Sequence, residues 1–426
     1  MTQQTPVSKP PAQGGAHPAG PRRDPRLLAT AASPRGWLEA LKRNVRGGEL
    51  GPLPVILGLV LIAVVFQIAN DRFLSPQNLS NLTVQIAAIG LMTTGVIMVL
   101  LLGEIDLSIG SVAGLSAAVL AVMAVKQGVS EWAAIGVALG IGLLVGLLHG
   151  FVFAKLGVPA FVVTLAGLLG WQGLHLYLMG ADGTINTSPN GAIAMLTQTF
   201  FVPFMGWTIA GLTLGLYVLS VALVERRRRL AGLPYKPSAE IAFRAVLLAV
   251  PVLGGVWVLN QYKGVSLAFL IFVGFVVVLD LVLRKTRYGR MVYAVGGNSE
   301  AARRAGINVD LIRISVFGIA STLAALGGVL LTSRNFAASV STGGGEELMM
   351  AIAAAVIGGT SLFGGRGNAY SALLGGLVLG AIASGLLLLQ MSTSVRFMIT
   401  AAVLLIAVIL DAASRRGRKT HARGGA

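Results

Sequence analysis

Runs of apolar residues about as long as a bilayer is thick recur through most of this chain, and nothing else in the sequence limits its folding as strongly. A helix rising 1.5 Å per residue needs about 20 such residues to cross the hydrocarbon core. Twelve runs qualify as candidates: Leu53–Ala69, Leu82–Leu102, Ser108–Val125, Trp132–Ala154, Val158–Met179, Trp207–Val224, Ile241–Leu259, Val265–Leu283, Leu311–Thr332, Leu348–Phe363, Ala369–Leu389 and Val395–Leu410. Backbone N–H and C=O groups find no water inside a bilayer, so only helices and closed barrels can span it. These runs lack the two-residue alternation of barrel strands. The expected fold is therefore all-α: a polytopic transmembrane helix bundle of about 10–12 spanning helices, some of them broken, because Leu348–Phe363 and Val395–Leu410 are short.

Charge placement orders these spans. Charged residues make up only 12% of the chain, against about 25% in soluble proteins, which excludes a water-soluble enzyme. The 33 Lys+Arg against 16 Asp+Glu give +17, a balance that in a soluble protein would suggest nucleic acid. Position argues otherwise, and no nucleic-acid partner is expected. Of the 33 basic residues, 8 fall between Lys9 and Arg46, 5 between Arg226 and Lys236, 7 between Arg284 and Arg313, and 5 between Arg415 and Arg423. The clusters are separated by six, two and four candidate spans, all even numbers, so the positive-inside rule places all four clusters, and both termini, in the cytoplasm. Residues 1–50 read as a disordered basic cytoplasmic tail lying against anionic lipid. Residues 51–412 form the transmembrane domain, with a cytoplasmic segment at 284–310, and 413–426 form a second basic tail. The first apolar run begins too far into the chain for a cleavable signal peptide and reads as an anchor.

Several chemistries are missing. There is no Cys, hence no disulfide, Cys-ligated metal or thiol nucleophile. The four His (His17, His149, His175, His421) stand at no metal-ligand spacing, so no metal site is expected. No G-x-x-x-x-G-K-[ST] loop occurs, so the chain carries no nucleotide-binding P-loop, and no cofactor is expected in it.

The stretch Thr286–Ile307, TRYGRMVYAVGGNSEAARRAGI, is too polar to span and too patterned for a passive linker. Gly296-Gly297-Asn298 is a turn signal. Asn298 or Ser299 can cap a short helix over Glu300–Ala305, with Glu300 in its first turn, Arg303 and Arg304 in its last, and Gly306 ending it. Ala301, Ala302 and Ala305 would give that helix a small-residue face for another protein. A plain capped surface helix fits the same spacing.

Two Gly-rich interruptions lie between apolar runs. Glu104-Ile-Asp106-Leu-Ser108 precedes Gly110 and Gly114. Asp106 or Ser108 can cap the following helix while the glycines permit close packing, and an unwound segment of this kind can also line a path or gate. Gly358–Gly367, containing Thr360 and Ser361, is a second interruption of similar plan. Among polar residues within spans, Asn81, Gln85, Thr93 and Thr94 belong to the second run, and Thr164, Gln172, His175 and Tyr177 follow one another along the fifth. Neutral donors with aromatic faces, here Trp171 and Tyr177, suit a ring of hydroxyls. Interhelical hydrogen bonding, with Trp and Tyr as interfacial anchors, accounts for the same residues.

The string GRMVYAVGGNSEAARRAGI resembles the G-R-x-x-x-A-x-G-x-N-x-x-A-A-x-x-x-G-I element of the monosaccharide permeases of ATP-binding-cassette importers, the ribose and xylose permease family. Gly103–Ser111 (GEIDLSIGS), Val163–Gly167 (VTLAG) and Val356–Leu362 (VIGGTSL) fit the same family in the same order. Asn260–Val265 and Ala407–Ser414 look most like its xylose branch. The chain departs from the family at Trp171-Gln172-Gly173, where an Arg-Gly pair is usual, and at Met349-Met350, where an Asp is usual. The resemblance implies a non-enzymatic importer subunit that moves a monosaccharide, xylose or a related pentose, across the cell membrane. It implies a second permease copy in a homodimer, a cytoplasmic subunit that binds ATP, and an extracytoplasmic sugar-binding protein. Gly289, Arg290, Gly296, Asn298, Glu300, Ala301, Ala302, Arg303, Gly306 and Ile307 would form the segment coupled to the ATPase. Gln85, Glu104, Asp106, Ser108, Thr164, Gln172, Thr360 and Ser361 would line the path or its gate. Two alternatives stay open: an ion-coupled sugar carrier or channel using Glu104 and Asp106, and a membrane scaffold without transport.

Overall fold

A computed structural model describes residues 53–233, 238–403, 405, 406 and 409. The expected tails at 1–50 and 413–426 and the end of the last apolar run lie outside the described residues. In order, the helices are α1 (Leu53–Ala69), α2 (Pro76–Leu101), α3 (Ile109–Ala121, prolonged by a π-helical turn to Lys126), α4 (Glu131–Lys155), α5 (Ala160–Met179), the short α6 (Ala192–Gln198), α7 (Pro203–Leu230), α8 (Ser238–Asn260) and α9 (Leu267–Lys285). They continue with α10 (Arg287–Gly297), α11 (Ser299–Arg304), α12 (Val309–Asn335), α13 (Gly345–Ile357) and α14 (Tyr370–Leu388), and a last apolar helix, α15 (Thr393–Val403). Among the described residues nine helices are long and apolar enough to cross a membrane, with α1 and α15 shorter. The polytopic helical bundle is as expected, and the chain is a multi-pass membrane protein.

The centre is built on α2 and α12, which are buried along most of their length. They run antiparallel: a Cβ at Gly95 would lie 2.7 Å from the Ala320 carbonyl oxygen, while Gly327, nearly two turns later on α12, sits against Ala88 and Met92. The third central helix, α4, joins them through Gly142, Gly146 and Gly150, which approach the Ser321, Phe317 and Ile314 backbone in turn. Small residues four apart form a shallow groove on one helix face, letting the two backbones touch without side chains between them. Phe153 of α4 and Phe317 of α12 fill the adjoining space, ring centroids 5.7 Å apart. Buried threonines serve their own helices: Thr93 Oγ1 donates to Ile89 O (2.8 Å) and Thr94 Oγ1 to Gly90 O (2.6 Å). Both are buried.

One end of the bundle, here the basic end, gathers the C-termini of α2, α4 and α9, the N-terminus of α12, and α10 and α11. Lys155 Nζ reaches Asp310 Oδ2 at 2.9 Å, and Arg303 lies 3.6 Å from Asp310 Oδ1. At the opposite end two antiparallel ribbons close the loops: β1 (Thr184–Asn186) pairs with β4 (Ala337–Ser339), and β2 (Phe200–Phe201) with β3 (Val265–Ser266). Lys126 and Asp182 form an ion pair there at 2.7 Å. The pair α7 and α8 packs on itself and shows mostly exposed side chains, as a peripheral hairpin in lipid does.

The expected tenth span, Leu348–Phe363, is not a full crossing. Its helix α13 has 13 residues, roughly 20 Å. From β4 the chain descends without helix along α3 as far as Gly343, which packs on the Gly110 and Gly114 backbone. Only then does α13 begin, inside the bundle. The 27-residue α12, a break and a 13-residue helix thus repeat, in the opposite direction, the 26-residue α2, the break at 102–108 and the 13-residue α3. The interruption matching Glu104–Ser108 is therefore 336–344, whereas Gly358–Gly367 is a loop at the basic end. The sequence pointed to the wrong Gly-rich stretch because both have turn composition, and only packing separates them.

Candidate gate and coupling segment

The segment between α9 and α12 is held by local bonds. Thr286 Oγ1 accepts from the Gly289 N–H at 3.2 Å and donates to Val282 O at 2.6 Å, so one hydroxyl ends α9 and starts α10. Asn298 Oδ1 accepts from the Ala301 N–H at 2.9 Å, capping α11 as its sequence predicts. The helix ends at Gly306, φ +81°, with Gly306 N–H donating to Arg303 O (3.0 Å) and Ile307 N–H to Ala302 O (3.1 Å). This bond pair is a Schellman stop.

The residues read as the ATPase-facing segment divide into two groups. Arg290, Asn298, Glu300, Ala301, Arg303 and Gly306 are exposed. Gly289 is buried with its hydrogens on the Leu283 backbone, Gly296 lies on Leu101, and Ile307 packs on the core. Ala302 is only 4% exposed, so the three-alanine face expected of α11 does not form. Ala301 and Ala305, one turn apart, point outward, and Ala302, about 100° round the helix, points in.

The inner end of α10 meets two other stretches, backbone against backbone. A Cβ at Gly296 would collide with the Leu101 carbonyl oxygen. The Gly365 N–H donates to that same oxygen at 3.0 Å. A Cβ at Gly364, whose φ is +80°, would stand 2.7 Å from Gly296 O and 2.8 Å from Gly103 Cα. Tyr293 Oη donates to Gly367 O at 2.8 Å. Thr360 and Ser361, read as path residues, are buried in this loop, where Ser361 Oγ accepts from the Phe363 N–H at 3.1 Å.

Beside this junction the break after α2 carries a chain of four polar side chains. Trp171 Nε1–H on α5 points at His149 Nε2 on α4, 2.9 Å away. His149 Nδ1 lies 3.2 Å from Ser108 Oγ, and Ser108 Oγ lies 2.6 Å from Asp106 Oδ1, which also accepts the Ser108 N–H at 2.8 Å. An indole N–H can only donate. His149 Nε2 is therefore the acceptor, the ring is neutral with its proton on Nδ1, and every donor in the chain points toward Asp106. Ser108 does not cap α3 with its side chain; instead Asp106 takes the Ser108 amide. The other carboxylate oxygen of Asp106 is buried with no partner among the described residues. Thr164 Oγ1 bonds Ile105 O at 3.3 Å, and Gly167 leaves room for the His149–Trp171 pair, since a Cβ there would lie 2.6 Å from His149 Cε1. Thr164 and Gly167 of the Val163–Gly167 motif thus seat α5 on the break.

Of the eight path candidates, Asp106, Ser108 and Thr164 come together, with the half-buried Glu104 on the same break and Thr360 and Ser361 in the neighbouring loop. Gln172 is half-buried beside Trp171 but outside the chain of bonds. Gln85 lies elsewhere, on an apolar cleft with Ile89, Met350 and Leu379, roughly 24 Å along α2 from the break. His149 was missed in the sequence because it has no metal-ligand partner. The usable signal was its place on the helix face that also carries Gly142, Gly146 and Gly150.

A family model described as "Branched-chain amino acid transport system / permease component" matches residues 78–408. The chain belongs to this permease family. Among curated proteins, the xylose transport system permease protein XylH of Escherichia coli K12 is 36% identical over 363 residues, 85% of this chain and 92% of that one. The xylose transport system permease protein XylH of Haemophilus influenzae is 33% identical over 368 residues, 85% and 97% of the two chains. The ribose import permease protein RbsC of Bacillus subtilis is 35% identical over 363 residues, 85% and 92%. No solved structure matches the chain. The family description names an amino acid system, but the relatives spanning nearly the whole chain are sugar permeases, and they place this permease in the ribose and xylose group.

Proposed function

We propose that this permease is the membrane subunit of a bacterial importer driven by ATP hydrolysis on a separate subunit, carrying D-xylose or a related pentose through the cytoplasmic membrane. The observation that supports this most is the similarity to xylose and ribose permeases along almost their full length. The basic end is cytoplasmic, as are both termini, in keeping with the positive-inside rule. The exposed side chains of α10 and α11 face the ATPase, and the ribbon end faces a sugar-binding protein. Two copies form the path, the homodimer that the resemblance to sugar importers implies.

Proteoliposomes holding the permease, its ATPase subunit and the sugar-binding protein test the reading with labelled D-xylose and D-ribose. Uptake requires internal ATP, and D-xylose is preferred. Glu300→Arg or Gly306→Trp blocks co-purification of the ATPase while leaving membrane insertion intact. Uptake driven by an ion gradient without ATP would instead establish the carrier that uses Glu104 and Asp106.

A further inference from the structure

Movement at the ATPase-facing segment must reach the membrane through whatever α10 touches. Its first turn is mounted on α9 by Thr286 and Gly289, and Tyr288 Oη lies 2.9 Å from Ser315 Oγ of α12. Its last turn touches two stretches far apart in sequence, Leu101–Gly103 and Gly364–Gly367. Leu101 is the last residue of α2 and opens the break that ends at Ser108. Gly364–Gly367 lies between α14 and α13, the helix that begins inside the bundle. The contacts are Gly296 on Leu101 O, Gly364 on Gly296 O and Gly103, and Gly365 N–H on Leu101 O. Close-packed interiors transmit displacement, and backbone-on-backbone contacts hold no rotatable side chain to absorb it.

We propose that this junction is the joint through which displacement of the coupling segment reaches both interrupted membrane segments, with Gly296 and Tyr293 as its positioning residues. The proposal rests on ATPase docking at α10 and α11. Gly296 sets the distance of approach, since any side chain would drive α10 off Leu101. The Tyr293 hydroxyl ties the same turn to Gly367, so the loop before α14 follows α10 in both directions.

The test uses the reconstituted complex with ATPase subunit and sugar-binding protein, and reads sugar delivered per ATP hydrolysed. That ratio is insensitive to how much protein folds. Mutations along a coupling network shift coupling by about 0.5–2 kcal/mol, so the expected fall is about tenfold for Gly296→Ala and about threefold for Tyr293→Phe. ATPase co-purification and basal hydrolysis stay at the native level in Tyr293→Phe. The adjacent Gly297 is the control, since a Cβ there meets nothing within 4 Å, and Gly297→Ala keeps the native ratio. An unchanged ratio in Tyr293→Phe, which removes one hydroxyl and is expected to fold whether or not Gly296→Ala does, overturns the joint. So does an equal fall in Gly297→Ala. If the unmodified permease does not retain the ATPase, the docking reading itself is wrong, a result distinct from either.

Discussion

Deleting the Ser108 hydroxyl breaks the polar chain at its middle, and the structure determines what that costs. Ser108→Ala removes the bond to Asp106 Oδ1 and the one from His149 Nδ1–H. Interhelical hydrogen bonds in membrane proteins average about 0.6 kcal/mol each. The larger loss is the buried imidazole N–H left without an acceptor, about 1–3 kcal/mol. The ring cannot escape by moving its proton to Nε2, because the Trp171 N–H already points there from 2.9 Å. The sum is a loss of about 2–4 kcal/mol. Trp171→Phe alone costs less, since the imidazole keeps Ser108. In the double variant the proton is free to move to Nε2, where a water entering the space left by the smaller ring accepts it, so the second deletion costs less than it does alone. A double-mutant cycle by thermal unfolding in detergent should show a coupling energy between Ser108 and Trp171 of about 0.5–3 kcal/mol. The two side chains meet only through His149, so costs that add within about 0.3–0.5 kcal/mol would refute the relay and its tautomer assignment.

Two further predictions concern packing and sidedness. Gly146→Ala places a Cβ 2.8 Å from Gly318 Cα and Ser321 Cβ, whereas Gly140→Ala on the same helix meets nothing within 4 Å. Helix propensity cancels between the two, so their difference in unfolding free energy reports overpacking alone, about 1–3 kcal/mol, and equal stabilities would show that α4 and α12 do not approach as closely as described. The chain has no Cys, so single-cysteine labelling needs no background removal: Arg303→Cys should react with an impermeant maleimide only from the cytoplasm and Lys263→Cys only from outside. Labelling of both from one side would invalidate the assigned orientation.

What was readable in the sequence was local. The cap at Asn298 and the stop at Gly306 depend on residues within a few positions, and both were found where the sequence put them. The small-residue face of α11 failed because it required knowing which side of a six-residue helix the rest of the protein covers, and Ala302 turned out to be covered. The paired interruptions failed similarly: Gly358–Gly367 and 336–344 have the same turn chemistry, and their depth in the bundle is set by Gly343 lying on Gly110 and Gly114. Among the path residues, Asp106 and Ser108 were visible as a broken segment, but their partner His149 is 41 residues beyond Ser108 and carries no spacing signature.

The sequence by itself determined that this chain is a multi-pass helical membrane protein, because bilayer thickness and the cost of burying charge act on every stretch independently of its neighbours. Its motifs also identified the family, since they are contiguous strings. Only the tertiary structure decided which interruption enters the bundle, which alanine of α11 is free, and that three distant glycine stretches share one contact. Those facts depend on which backbones come within van der Waals distance. A glycine permits such an approach, but nothing in its own sequence names the partner.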